Sequence, residues 1–242
     1  MSTEPTPDSI ADLTLAWARG RNLPAWFAKE TTSTNTVSKT ELGQLSPALF
    51  LCERQTTGRG RGPNSWSSAP DALLCTWRYR LSFSPQPILS PLIGLALFEA
   101  CRDSFENVPF NLKAPNDLYV ADKKLAGLLI ELSSVGSEVT CAIGLGLNAD
   151  QAPADLSNQA VGLGDFVDRG DVRLAWPRFM TALERGLAAA LNAAANPAMN
   201  QDVRERLREA MNLHPRLKEP ILNVGPFGQI ESASRTIDWH EL

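Results

Sequence analysis

The clearest pattern along the chain is an alternation. In "LLCTWRYRLSF", residues 73–83, Cys75, Trp77, Tyr79, Leu81 and Phe83 fall on one face, and Thr76, Arg78, Arg80 and Ser82 on the other. A period of two predicts a half-buried strand whose second face is polar or lines a ligand. A second alternation runs through 138–148, where Val139, Cys141, Ile143, Leu145 and Leu147 make an apolar face. The opposite face, Thr140, Ala142, Gly144, Gly146 and Asn148, is small and ends in an amide. It suits either a flat ligand lying close to the backbone or an element packed tightly over it.

Other segments read in the same way. The apolar run at 48–54 predicts a buried strand. Residues 90–105 predict a helix with Ser90 as N-cap and Pro91 at its first position, its row Ile93, Leu97, Ala100 and Phe105 packing on a sheet. Helices are also predicted at 9–19, 34–42, 172–194 and 199–212. A strand at 110–113, a turn at 114–117 and a hairpin turning at Ala121 and Asp122 lead into a longer hairpin, 125–133 with 138–148. Most strands are hairpin-linked and helices lie between them, which makes the expected class α+β.

Composition narrows the functions. The chain has 242 residues, 43% hydrophobic and 21% charged, with a net charge of −4. That is an ordinary globular composition, and the charge argues against sequence-independent nucleic-acid binding. No apolar run approaches a membrane span, and the start "MSTEPTPDS" has no secretory signature. Cys52, Cys75, Cys101 and Cys141 are scattered without a C-x-x-C, as expected of reduced, buried thiols in the cytoplasm. His214 and His240 are the only histidines, too few for a histidine triad or zinc site. "GLGLNA" at 144–149 matches a dinucleotide fingerprint, but no helical pattern follows it.

One stretch demands more than a surface loop. "ERQTTGRGRGPNSWSS", residues 53–68, alternates Gly58, Gly60 and Gly62 with Arg59 and Arg61. The glycines leave the backbone free, and the arginines offer forked donors to a carboxylate or phosphate. Taken with "TTSTNT", "LKAPNDLYVADKKLAGLLIEL" and "CAIGLGLN", it resembles the biotin–protein ligases. That family shows S-T-N, Q-x-x-G-R-G-R-x-x-x-x-W, K-W-P-N-D-L, K-L-A-G-I-L-V-E and I-G-x-G-x-N. All five blocks occur here in family order, across residues 31–150.

The resemblance implies a mixed, largely antiparallel sheet flanked by helices, and a two-step reaction. Biotin and ATP give biotinyl-5′-AMP and pyrophosphate, with Mg²⁺; a lysine of a biotin carboxyl carrier protein then takes the biotin. It implies roles for residues. Arg61 and Lys124 contact the carboxylate and phosphate, and Asn116 and Asp117 serve phosphate or metal contacts and orient the incoming lysine. Ser33, Thr34, Asn35 and Gln55 suit biotin's ureido group, and Gly58, Arg59 and Gly60 border its pocket. Gly127, Leu129, Gly144 and Gly146 line the biotin and ribose slots. Trp66, Lys113 and Asn148 serve ATP, with Trp66 stacking on adenine and Asn148 at its edge. Strict alternation puts Lys124 and Gly127 on opposite faces, so the strand must begin after Lys124 or bend at the glycine.

The resemblance divides the chain into an N-terminal extension with a short helix (1–30), a catalytic domain (31–213) and a C-terminal remnant (214–242). The remnant suffices for about three strands, so the family's SH3-like barrel is expected to be truncated or absent. No winged helix precedes Thr31, so no DNA partner is expected; a homodimer is left open. Where the family loop commonly reads R-R-G-R, this chain reads Arg61, Gly62, Pro63 and Asn64, so two basic positions are lost, and Ala114 replaces the family's tryptophan. Two alternatives remain, a lipoyl or octanoyl ligase of the same superfamily and a non-catalytic biotin-binding protein.

Overall fold

In the computed structural model, residues 9–238 are described. Seven strands form one sheet: β1 (Ala25–Thr31), β2 (Ala48–Gln55), β3 (Leu73–Leu81), β4 (Phe110–Lys113), β5 (Asp117–Val120), β6 (Lys123–Val135) and β7 (Glu138–Leu147). Their order is β1-β2-β3-β7-β6-β5-β4. Only β1 and β2 run parallel; every other neighbouring pair is antiparallel. The expected α+β class, with a mixed and largely antiparallel sheet, is the one observed.

The two alternations set the two faces of this sheet. Leu49, Leu51, Leu73, Cys75, Trp77, Cys141, Ile143, Leu145 and Leu147 belong to the main core. Against them pack α1 (Ile10–Gly20), α3 (Leu89–Ser104) and α4 (Arg169–Ala193), with Ile93, Leu97, Trp176, Phe179 and Leu183 almost wholly buried. Asp71 ties the layer together, accepting hydrogen bonds from the Ile10 amide at 2.7 Å and from Arg173 at 2.7 Å. The other face is covered more sparsely. It carries α2 (Thr34–Val37), the glycine–arginine loop and a small cluster of Cys52, Ala69, Ala72, Leu74 and Trp66.

Several expectations are corrected here. Residues 34–42 make only the single-turn α2, followed by turns. The long helix α3 begins at Leu89 with Ile88 as N-cap, so Ser90 lies inside it and caps nothing. The segment Ala25–Thr31, unassigned in the sequence, is the edge strand β1. Of the N-terminal residues, those before Ser9 lie outside the described range. The C-terminal part follows α5 (Gln201–Asn212). Strands β8 (Ile221–Val224), β9 (Gln229–Ser232) and β10 (Thr236–Asp238) form a three-stranded antiparallel sheet, and no closed barrel occurs among the described residues.

Candidate active site

Strand register lays the site out in rows across the open face. Leu74 pairs with Gly146, Gly146 with Gly127, Gly127 with Asp117, and Asp117 with Lys113. One step along, Thr76 pairs with Gly144 and Gly144 with Leu129; one further, Arg78 pairs with Ala142 and Ala142 with Glu131. Charge therefore sits at one end of the first row, and neutral hydroxyl and amide groups crowd the second. A cleft of about 1090 Å³ opens over these rows, lined by β2, β3, β6, β7, α2, the loop and the β4–β5 turn.

Lys124 reaches this face through a bulge. The pairing of β5 with β6 shifts between Leu118 and Tyr119, so that Leu118 faces Ala126 while Tyr119 faces Lys124. The extra residue, Leu125, turns Lys124 onto the face of Gly127, whose Cα lies against the Lys124 chain: an added Cβ would sit 3.2 Å from Nζ. The conflict between Lys124 and Gly127 is resolved before the glycine, within the strand. Lys124 Nζ lies 2.8 Å from Asp117 Oδ1 and over the Trp66 ring, 5.8 Å from its centroid. Asn116 donates to the Leu128 carbonyl at 3.0 Å and accepts from Arg61 at 3.0 Å, which brings the loop arginine to the same end.

The loop is a small hairpin rather than a free tether. Gly60 N–H donates to Asn64 O at 2.8 Å, Trp66 N–H to Gly58 O at 2.9 Å, and Asn64 N–H closes the tip on Arg61 O at 3.2 Å. Gly62 at φ +59° followed by Pro63 has the sign pattern of a type II′ turn. A Cβ on Gly58 would sit 2.6 Å from the Trp66 carbonyl, so glycine there permits close approach, not motion.

At the neutral end, Asn35 is almost fully buried and lies flat on Gly144, where a Cβ would meet its Oδ1 at 2.4 Å. Asn35 donates to the Leu129 carbonyl at 3.2 Å and to Glu131 at 2.9 Å; both partners only accept, which fixes the amide's orientation. The Thr76 hydroxyl donates back to Asn35 Oδ1 at 2.5 Å and lies 2.8 Å from that of Thr34. Gln55 accepts from the Thr34 amide at 2.8 Å. Buried Arg78 donates to the carbonyls of Ser38, Glu41 and Leu45 and so braces the chain that follows α2. Burial and the neighbouring Arg80 both lower the pKa of this guanidinium.

Ser33, Thr34, Asn35, Gln55, Gly58, Arg59, Gly60, Arg61, Trp66, Lys113, Asn116, Asp117, Lys124, Gly127, Leu129, Gly144 and Gly146 all line the one cleft. Asn148 does not. It is buried, and its amide donates to the Val161 carbonyl at 3.1 Å beneath the 150–166 loop. The small face of β7 is likewise no bare floor, because the Trp66 indole rests on Gly146, where a Cβ would meet the ring at 2.3 Å. Sequence reasoning missed Thr76 and Glu131, which do not line the cleft but hold Asn35, a residue that does. The signals were present: Thr76 stands on the polar side of the alternation, and Glu131 is the glutamate of the K-L-A-G block.

Comparisons with known proteins bear on the family and the fold. Residues 27–148 match the model of the "Biotin/lipoate A/B protein ligase family". The chain is 36% identical over 121 residues to the Escherichia coli "Bifunctional ligase/repressor BirA", covering 48% of this chain and 37% of that protein. It is 30% identical over 128 residues to the "Biotin--[acetyl-CoA-carboxylase] ligase" of Mycobacterium tuberculosis, covering 50% and 47%. The aligned stretches thus span less than half the length of these relatives. Among solved structures, the Aquifex aeolicus biotin protein ligase in complex with biotin and ATP superposes with a TM-score of 0.67 at 22% identity, over 88% of this chain and 95% of that one. The fold is shared over nearly the whole chain and the family model spans its motif-bearing half, so the chain belongs to the biotin/lipoate A/B protein ligase family.

Proposed function

We propose that the cleft joins biotin to ATP, forming biotinyl-5′-AMP, and then transfers biotin to a lysine of a biotin carboxyl carrier domain in the cytoplasm. One observation carries this: a single cleft has cations and a carboxylate at one end, Arg61, Lys113, Lys124 and Asp117, and at the other the amide and hydroxyl groups of Thr34, Asn35 and Gln55, backed by the buried Thr76 hydroxyl and the mutually paired Arg59 and Glu131. A ligand with an anionic carboxylate and an uncharged, polar head matches both ends. Lipoate and octanoate carry the carboxylate but end in apolar groups, which would leave polar groups at the neutral end unmatched.

In the first step a biotin carboxylate oxygen bonds to the α-phosphorus as the bond from that phosphorus to the β-phosphate bridging oxygen breaks and pyrophosphate leaves. Arg61 and Lys124 offset the like charges that must meet. In the second step the carrier's amine attacks the acyl carbon, AMP leaves, and the nitrogen sheds a proton. Asp117, 2.8 Å from Lys124 and partly buried at the cleft wall, is suited to orient that amine. The hairpin, by closing over the anhydride, would keep water out. Among the described residues no cluster of three or more histidine, cysteine or carboxylate side chains could cage a metal. Asp117 and Asp155 fit an outer role toward Mg²⁺ held by ATP phosphates, the ion's usual habit, where it would offset phosphate charge. The test is ATP–pyrophosphate exchange in MgATP. Exchange that depends on biotin is expected; exchange with lipoate or octanoate but not biotin would overturn the proposal.

A further inference from the structure

We propose that Glu131 is a positioning residue that latches the glycine–arginine loop to the segment carrying Asn35, so that both face the acyl ligand in register. The inference rests on the function proposed above, in which Asn35 and Arg59 border the biotin pocket. Three stretches far apart in the chain meet at this carboxylate. Glu131 Oε2 accepts from Asn35 Nδ2 at 2.9 Å and from Arg59 Nη2 at 2.8 Å, and Lys39 Nζ lies 3.7 Å from Oε1. Its neighbour across the sheet is Ala142, small enough to leave it room in the row next to that of Gly144 and Leu129.

The Arg59 pair alone would count for little, since Arg59 is 43% exposed and surface ion pairs are worth little. The bond to Asn35 is different. Asn35 is 3% exposed, and with Glu131 removed one of its amide hydrogens would lose its charged acceptor in a buried place. Orientation of the recognition amide and attachment of the loop thus share one carboxylate. Loosening either loosens the other.

The prediction concerns biotin and not ATP. Glu131→Ala should raise the biotin KM in exchange by about tenfold or more, the scale of one lost charge-assisted hydrogen bond, and by several-fold more than it changes the ATP KM. Glu131→Gln keeps an acceptor for Asn35 but no charge for Arg59, so it should fall between. Arg59→Ala should weaken biotin binding in the wild-type background and add little in the Glu131→Ala background. Amide hydrogen exchange of the free protein reads the latch without any ligand: residues 33–38 and 58–66 should exchange faster together in Glu131→Gln, with β3 and β7 unchanged. An unchanged biotin KM, an equal rise in both KM values, or additive effects of the two substitutions would overturn the proposal. A wild type without biotin-dependent exchange would instead overturn the proposed function. The hydrogen-exchange result would then decide the latch alone, joint loosening supporting it and unchanged rates sinking it.

Discussion

Lys124 is the residue on which the chemistry of the cleft converges. It is fixed by the bulge of β6, paired with Asp117 at 2.8 Å and set over the Trp66 ring. Lys124→Ala should therefore slow biotin-dependent exchange by about 10²-fold or more, the range seen when a preorganised charge donor is lost. Arg61→Ala should mainly weaken retention of biotinyl-AMP, since Arg61 sits on the hairpin and its side chain donates to Asn116. Equal exchange rates in wild type and Lys124→Ala would refute this map. Glu131 adds a pH signature. Burial raises its pKa, but hydrogen bonds from Asn35 and Arg59 and the charges of Arg59 and Lys39 outweigh that and bring it below its ordinary 4.5. A carboxylate depressed in the folded state stabilises the fold above its unfolded pKa and stops doing so as pH falls through the folded value. Acid unfolding should then cost the wild type more stability below about pH 4.5 than Glu131→Gln loses; parallel curves would contradict this.

At the scale of elements, the hairpin 58–66 shows what was legible and what was not. Its composition announced a ligand loop with fixed charge, but the role of its glycines depended on distances that no sequence displays. Gly58 is needed because the Trp66 carbonyl passes close by, and Gly62 because the tip turns at φ +59°. The same limit explains the other errors. Strand β1 has four half-buried residues and then exposed Lys29 and Glu30, so it offers no clean alternation. Asn148 satisfies its block by position, while it lies outside the cleft lining with its amide nitrogen donating to the Val161 carbonyl. The β6 bulge was legible only as a contradiction, two site residues that strict alternation would separate. The hairpin also makes a prediction. Gly62, Pro63 and Asn64 carry no charge, so the closed loop should hold the adenylate's phosphate through fewer contacts. Arginine at Gly62 would be strained by the positive φ, which leaves Asn64→Arg as the informative variant. It should slow dissociation of biotinyl-AMP in stopped-flow fluorescence; an unchanged rate would show that the tip does not grip the intermediate.

Over the whole molecule, the division of the sheet into a helix-packed face and an open, polar face was readable from two alternations and accounts for where the cleft lies. It also accounts for the thiols. Cys52, Cys75, Cys101 and Cys141 are free and buried, and burial pushes Cys52 and Cys141 up to about 12 and Cys75 and Cys101 further. At pH 8 the native protein should therefore resist alkylation at all four and accept it at all four once unfolded; rapid native labelling would contradict the packing. No described helix is long and apolar enough to cross a membrane. In the proposed function one cleft binds a carboxylate at its cationic end and a polar, uncharged head at the end of Asn35, and hands the activated acyl group to a carrier lysine. The most direct measurement incubates the protein with MgATP, a biotin carboxyl carrier domain and equal biotin and lipoate, and reads the carrier by intact mass. A carrier bearing one biotin is expected, lost when its acceptor lysine is replaced or when Lys124 is alanine. A carrier that takes lipoate instead, or biotin appearing equally with Lys124→Ala, would contradict it.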